Sequence, residues 1–583
     1  MRLKSNLHPA MFRIRKRLEY LYGPDWCDPL LERLDMFFGR YGLGMGETAT
    51  KSRWSEKDVI LITYADMVQS DDDTPLHTLT RFCRKRLKSA ISTVHILPFS
   101  PYSSDDGFSV IDYREVNPPF GSWEDVASLG EDFYLMFDLV LNHCSAKSAW
   151  FDDFIAGIAP GRGFFKTADP SQDYSKVVRP RSLPLLTAFD TRNGKRHVWT
   201  TFSADQVDLD FSNPDVLFEF LDILMYYVYR GASTIRLDAI AFLWKELGTT
   251  CLHLPQTHEV VKLFRDFLEM IAPDVILLTE TNVPHQENIS YFGDGDEAHM
   301  VYQFSLPPLL LHALITGSGA YLTEWAGNLD PPPSGCTYFN FTASHDGVGV
   351  RPLEGLIPDK ELKALVEGVR KRGGLVSTRR LSDGTDKPYE LNISYFDALS
   401  DEDDRHEKMH IARFLCSQTI MCAMQGIPGI YFHSLIATHN NHAGVKETGQ
   451  NRTINRRKWQ LDELKDVLGR RTVHQRVFKA YGDLLKRRCE CPAFHPEAAQ
   501  IVHHLGNEIF ALSRVDPTTG SQVLCLQFLF SKYTILSIIC WGKKYFATDP
   551  RTFLEGRVCF TRPCCLVFIN MIVDKEANAP IVS

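Results

Sequence analysis

Short runs of apolar, β-branched residues recur along this chain, separated by longer stretches whose apolar positions return every three or four residues. The short runs fall at 58–67 (DVILITYADM), 93–99 (TVHILPF), 133–143 (FYLMFDLVLNH), 234–240 (TIRLDAI), 275–281 (VILLTET), 300–304 (MVYQF), 338–346 (YFNFTASHD) and 427–432 (IPGIYF). They are nearly continuous hydrophobics, the pattern of parallel strands covered on both faces. Helical periodicity occupies 214–231, 258–272 and 408–426 between them. Eight strands alternating with helices predict an α/β fold, the (β/α)8 or TIM barrel.

Two stretches interrupt this rhythm. Residues 145–205 are rich in Pro, Gly, Arg and Thr and too long for a simple loop, so they predict an inserted B domain. A second insertion, 347–405, follows the seventh strand. Past about residue 497 the runs IFALSRV and VLCLQFLF, separated by turn residues, predict a C-terminal antiparallel β domain over 497–583. Residues 1–55 then form an N-terminal helical extension, and the barrel is assembled from 56–144, 206–346 and 406–496.

Composition narrows the partners. With 64 basic and 72 acidic residues among 583, the net charge of −8 gives no electrostatic reason to expect nucleic acid or an anionic membrane surface. No window approaches eighteen apolar residues free of charge, so no membrane span is expected. The opening MRLKSNLHPAMFRIRKRLEYLYG has no uninterrupted apolar core and reads as an amphipathic helix, not a secretory leader. The 14 cysteines are scattered; neither the Cys489/Cys491 pair nor the adjacent Cys564 and Cys565 has zinc spacing. Reduced thiols and a cytoplasmic location are the expectation, and monomer and homodimer both stay open.

The stretch STIRLDAIAF, Ser233–Phe242, sets the chemical problem. In a strand Arg236 and Asp238 project to one side, so two charges leave a hydrophobic wall together, which is costly unless they are paired and used. Other strand ends carry Asp138, Asn142 and His143, then Glu280, then His345 and Asp346. Singly, each has an ordinary reading as a cap, a core histidine or an ion pair. Jointly they stand where β/α barrels hold reacting groups, at the C-terminal ends of strands. Three carboxylates, Asp238, Glu280 and Asp346, with Arg236 and two histidines suit retaining cleavage at an acetal carbon, which needs one ionised nucleophile and one protonated acid. Such chemistry requires neither metal nor organic cofactor.

The segments DLVLNH (138–143), IRLDAI (235–240), LLTET (277–281) and ASHDG (343–347) resemble the four conserved stretches of the α-amylase superfamily. The likeness implies Asp238 as nucleophile, Glu280 as acid/base and Asp346 as transition-state stabiliser, with His143, Arg236 and His345 around the glucosyl unit. A narrower likeness is to the sucrose phosphorylase group, carried by PFSPYSSDDGFSVIDYREVNPPFGSWEDV (98–126), RPRSLPLLT (179–187), QVDLDFSNPDV (206–216) and NRTINRR (451–457). It implies that Asp105 pairs with an arginine of the last barrel loop, Arg452 in first place and Arg456 as the alternative. It also implies that Arg181 and Tyr389 hold phosphate.

The acceptor loop departs from the sucrose pattern, reading Lys387-Pro388-Tyr389-Glu390-Leu391-Asn392, and TASHDGVGVRPLEGLIP (342–358) is similar to relatives that act on glucosylglycerate. Lys387 or Arg351 would meet the glycerate carboxylate. The expected reaction is phosphorolysis of 2-O-α-D-glucosyl-D-glycerate to α-D-glucose 1-phosphate and glycerate. Sucrose or sucrose 6-phosphate phosphorolysis, α-glucoside hydrolysis or transglucosylation, and a non-enzymatic binding role are the alternatives.

Overall fold

The computed structural model describes residues 9–41, 53–380, 385–400, 407–529 and 536–542. Eight strands close a barrel in which all neighbours are parallel: β1 Ile60–Thr63, β2 Thr93–Ile96, β3 Tyr134–Val140, β4 Ala232–Asp238, β5 Ile276–Thr279, β6 Met300–Tyr302, β7 Thr337–Phe341 and β8 Ile427–Tyr431. These are the eight apolar runs of the sequence, each shortened at its C-terminal end, with β4 and β7 beginning two residues and one residue earlier than the runs. Almost all of their side chains are buried, as expected for a sheet sandwiched between its own interior and a ring of helices.

The outer helices follow local signals. Pro214–Tyr229 starts with Asn213 accepting the Asp215 N–H and a proline in the first turn. Trp123–Gly130 starts on a capping box between Ser122 and Asp125. The N-terminal helices Pro9–Tyr22 and Pro24–Arg40 lie outside this ring. The first is clamped to helix Pro255–Ile271 because Arg13 and Arg17 both reach Asp266 at 2.6 Å.

Within 145–205 lie a helix, Ala149–Ala156, and a hairpin, Leu186–Thr191 with Gly194–Trp199. After β7 comes a three-stranded antiparallel sheet, Val348–Gly349, Asp386–Asn392 and Leu375–Arg380, with helix Asp359–Lys371. The C-terminal region contains the four-stranded antiparallel sheet Ala499–His503, Ile509–Val515, Gln522–Phe528 and Leu536–Gly542. Buried Arg514 docks it by donating to Ala423 O on the barrel side and to His495 O and Ala498 O. Cys564 and Cys565 lie outside the described residues, as do 381–384 of the second insertion. Among the described residues no helix is long and apolar enough to cross a membrane.

Candidate active site

Strand register explains the charges in STIRLDAIAF. β3 and β4 pair with Asp138 opposite Arg236 and Val140 opposite Asp238. Both Asp138 and Arg236 therefore point into the barrel, where Arg236 Nη1 donates to Asp138 Oδ1 and, at 2.7 Å, to Asp238 Oδ1. His95, inward on β2, stands 2.6 Å from Asp138 Oδ2. The interior thus carries a relay of alternating partners, His95, Asp138, Arg236 and Asp238, each fixed to a different pleat position. Burial alone would raise the Asp138 pKa, but Arg236 and His95 outweigh it and hold it at about 2.

The chain leaves β4 through a strained elbow. Ala239 has φ of +48°, a left-handed conformation that costs a non-glycine residue about 1 kcal/mol or more. That turn aims the Ala239 N–H at Glu280 Oε2, 3.0 Å away, and so ties the end of β5 to the residue after Asp238. Glu280 also lies 3.7 Å from Arg236 Nη2. Burial pushes both Asp238 and Glu280 above the usual carboxylate range, and a neighbouring acid pushes each further, Glu280 for Asp238 and Asp346 for Glu280. Arg236 is an ångström closer to Asp238 than to Glu280, so the shared geometry favours charge on Asp238 and the proton on Glu280.

The wall facing these acids comes from the loops after β2, β3, β7 and β8. In SSDDG, Asp105 and Asp106 both take positive φ, +52° and +48°, and Gly107 follows at +110°, where a side chain would strike Pro98 O at 2.4 Å. The contorted loop turns both carboxylates toward Arg456, which lies 3.4 Å from Asp105 and 2.7 Å from Asp106 and also donates to His345 O at 2.8 Å. Arg181 meets Asp105 from the other side at 3.1 Å. Burial opposes ionisation of Asp105, yet Arg181, Arg452 and Arg456 outweigh it and hold the pKa well below the usual range.

The expected pairing of Asp105 with Arg452 is thereby corrected. Arg452 instead contacts Asp346 at 2.7 Å and grips Glu390 with Nε and Nη2 at 3.1 and 3.0 Å. The two arginines lie four residues apart around the short helix Asn451–Asn455; both reach Asp346, at 2.7 and 3.9 Å, but Arg452 goes on to Glu390 and Arg456 to Asp105 and Asp106. Arg456, the inner one, takes Asp105.

Both expected histidines are buried and uncharged. His143 Nε2 donates to Phe108 O at 2.9 Å while Asn142 Nδ2 donates to its Nδ1 at 3.2 Å, and burial lowers its pKa to about 4. His345 stacks on Phe108 with ring centroids 4.6 Å apart, and burial with Arg236 and Arg456 nearby drives its pKa well below the usual value. Neutral imidazoles can accept or donate hydrogen bonds to hydroxyls without repelling an incoming cationic centre.

Asp238, Glu280, Asp346, Asp105, His143 and His345 all line one cavity of about 870 Å³ including its mouth. Tyr389, Arg181 and Arg351 line it too, on the side of the insertions. Lys387 does not: it is exposed, and the expectation that it faces the ligand is corrected. The charge on that strand pair comes from Arg379, opposite Lys387 in the register and only 13% exposed, which lines the cavity with Arg351.

The family described as Alpha amylase, catalytic domain, matches residues 88–316. The glucosylglycerate phosphorylase of Spirochaeta thermophila is 49% identical over 88% of this chain and 88% of its own. The chain belongs to the glucosylglycerate phosphorylase family of the α-amylase superfamily. Members of the superfamily with other aglycones stand further off: the sucrose phosphorylase of Bifidobacterium adolescentis is 30% identical over 75% of this chain and 86% of its own. The crystal structure of sucrose 6F-phosphate phosphorylase from Thermoanaerobacter thermosaccharolyticum superposes with a TM-score of 0.73 at 26% identity, covering 85% of this chain and 98% of that one.

Within this glucosylglycerate phosphorylase family member, several cavity residues escaped the sequence reading. Phe108, Phe202 and Gln206 line the sugar side, and Asn282 and Arg379 the other. Phe108 and Gln206 lay inside the segments that carried the resemblance, so their motif was visible but their contact was not. Arg379 stands in STRR, one basic pair among many. Only the antiparallel register with 386–392 brings it into the cavity.

Proposed function

We propose that this chain catalyses phosphorolysis of 2-O-α-D-glucosyl-D-glycerate by double displacement with net retention. The observation that carries the aglycone is the contrast in identity, 49% to a glucosylglycerate phosphorylase against 30% to a sucrose phosphorylase, both over most of the chain. Geometry supports the chemistry. Asp238, held beside Arg236, attacks the anomeric carbon as the bond to glycerate breaks, and Glu280 gives its proton to the departing oxygen. Asp346, fixed by Arg452, orients sugar hydroxyls and stabilises the oxocarbenium-like state, while Arg456 with Asp105 closes the pocket beyond a single glucosyl unit.

In the second half, phosphate occupies the vacated subsite near Arg181 and Tyr389. One of its oxygens attacks the anomeric carbon, the ester to Asp238 breaks, and Glu280 recovers a proton from the phosphate. The product is α-D-glucose 1-phosphate. Arg181 meets Asp105 through Nη2, which leaves the rest of its fork for phosphate oxygens.

The test is one end-point assay with phosphate and a panel of glucosylglycerate, sucrose and sucrose 6-phosphate, measuring glucose 1-phosphate against free glucose. Glucosylglycerate is expected to give glucose 1-phosphate far above the other two. Release of free glucose at a rate indifferent to phosphate would make the protein a hydrolase and end the proposal.

A further inference from the structure

The aglycone side of the cavity holds two buried guanidiniums that no step above employs fully. Arg351 opens the short turn Arg351–Leu353, one residue past strand Val348–Gly349, and Arg379 lies on strand Leu375–Arg380. The turn is pressed against the residues that follow Glu280, since a side chain at Gly349 would meet Asn282 Oδ1 at 2.4 Å. That contact fixes Arg351 beside the acid that protonates the leaving oxygen.

Each arginine has one carboxylate on its outer side. Arg351 Nη2 lies 3.3 Å from Glu287 and Arg379 Nη2 lies 2.5 Å from Glu354; both glutamates are 41% exposed while the two guanidinium side chains are 11% and 13% exposed. The Nε atoms of both arginines are buried with no hydrogen-bond partner. Each glutamate is met through Nη2 alone, so the rest of each fork is left for an anion in the cavity that both side chains line. Burial lowers the Arg351 pKa, and the like charge of Arg379 adds to it, so an anion between them relieves both.

We propose that Arg351 and Arg379 form a two-guanidinium clamp for the carboxylate of the departing aglycone, with Arg379 making an acidic aglycone preferred over a neutral one of the same shape. This rests on the reading of the protein as a glucosylglycerate phosphorylase. In glycerate the carboxylate is bonded to the carbon that bears the leaving oxygen. An aglycone protonated by Glu280 therefore carries its charge into the space that Arg351 and Arg379 line. A phosphate entering the same subsite would present similar oxygens, and the experiment must separate the two anions.

The full-length chain and its Arg379→Gln variant are assayed on 2-O-α-glucosylglycerate and on glucosylglycerol, in which a hydroxymethyl group replaces the carboxylate. The phosphate KM is measured with each donor, and D-glycerate and glycerol are titrated calorimetrically. The variant is expected to lose about 100-fold in kcat/KM on the acid, the scale of a lost charged hydrogen-bonding pair, with glucosylglycerol and the phosphate KM changed by less than about 3-fold. D-glycerate binding should weaken and glycerol binding should not. Arg379→Lys keeps the charge without the fork and should recover part of the loss; it also serves if the glutamine variant does not fold. Equal losses on the two donors, or a raised phosphate KM with the acid preference intact, overturns the clamp. A wild-type chain that makes no glucose 1-phosphate from glucosylglycerate overturns the functional reading itself, and the clamp with it.

Discussion

The two sides of the cavity are built on different principles. On the sugar side, charges sit on barrel strands and the loops at their ends, and each is paired across the pleats: Asp138 with Arg236 and His95, Asp105 with Arg456 and Arg181, Asp346 with Arg452. On the aglycone side, Arg351 and Arg379 belong to the second insertion and lean on partly exposed glutamates, with donors left over. Carboxylates gripped by one or two buried cations hold a fixed geometry for a sugar that is common to many relatives. Two arginines that meet only partly exposed glutamates leave charge available for a variable aglycone.

The strongest test of that contrast removes chemistry from the sugar side. Asp238→Asn is expected to lower kcat by about 10⁴-fold or more, read as glucose 1-phosphate formation, because the proposed double displacement makes Asp238 the group that forms the covalent intermediate. Formation at the wild-type rate would remove Asp238 from the nucleophile role and take the double displacement with it.

Next in size is a change in the wall rather than the nucleophile. Arg456 is almost wholly buried and touches Asp105, Asp106 and His345 O, so Arg456→Gln takes one of two arginines from Asp105, the cation from Asp106 and the donor from His345 O. The expected cost is about 3–5 kcal/mol of folding stability together with most of the activity. Arg379→Gln meets only one half-exposed glutamate and should cost about 1 kcal/mol or less. Thermal melts of the two variants side by side check this. If they fall equally, the two sides are not built differently.

The sequence was most legible where backbone regularity does the placing. Asp138, Arg236, Asp238 and Glu280 could be assigned to one mouth because a two-residue strand period fixes their direction, and nearly continuous apolar runs reveal the barrel strands. Loop geometry was less legible. The choice between Arg452 and Arg456 depends on a turn of short helix, and Lys387 and Arg379 exchange places through the pairing of two insertion strands separated by a loop. Neither is written in spacing. The strained loop at Asp105–Gly107 announces itself only as SSDDG, a common turn composition, although its backbone decides which arginine the acid meets.

A last test is the pH dependence that buried His143 gives the sugar side in the window below pH 6.5. His143 titrates near 6.5 when unfolded and at about 4 when folded, so between those values the unfolded chain binds a proton that the folded chain does not. Stability from this group is therefore full above pH 6.5 and falls as pH drops toward 4, by roughly 3 kcal/mol in total at about 1.4 kcal/mol per pH unit. Asp138 acts in a separate window, since its contribution is present above its unfolded pKa of 3.8 and is lost only as pH falls toward about 2. Asp238 and Glu280 run the opposite way, because burial raises them and the folded state takes up their proton first. The wild-type slope mixes these terms, but the difference between wild type and His143→Asn isolates one of them. Melts from pH 7.5 to 4.5 should show the variant losing less stability than wild type across the window below 6.5, while Arg379→Gln follows the wild-type slope. Parallel curves for wild type and His143→Asn would mean that the imidazole is protonated as readily in the folded barrel as in water, and that the sugar wall is wetter than its packing implies.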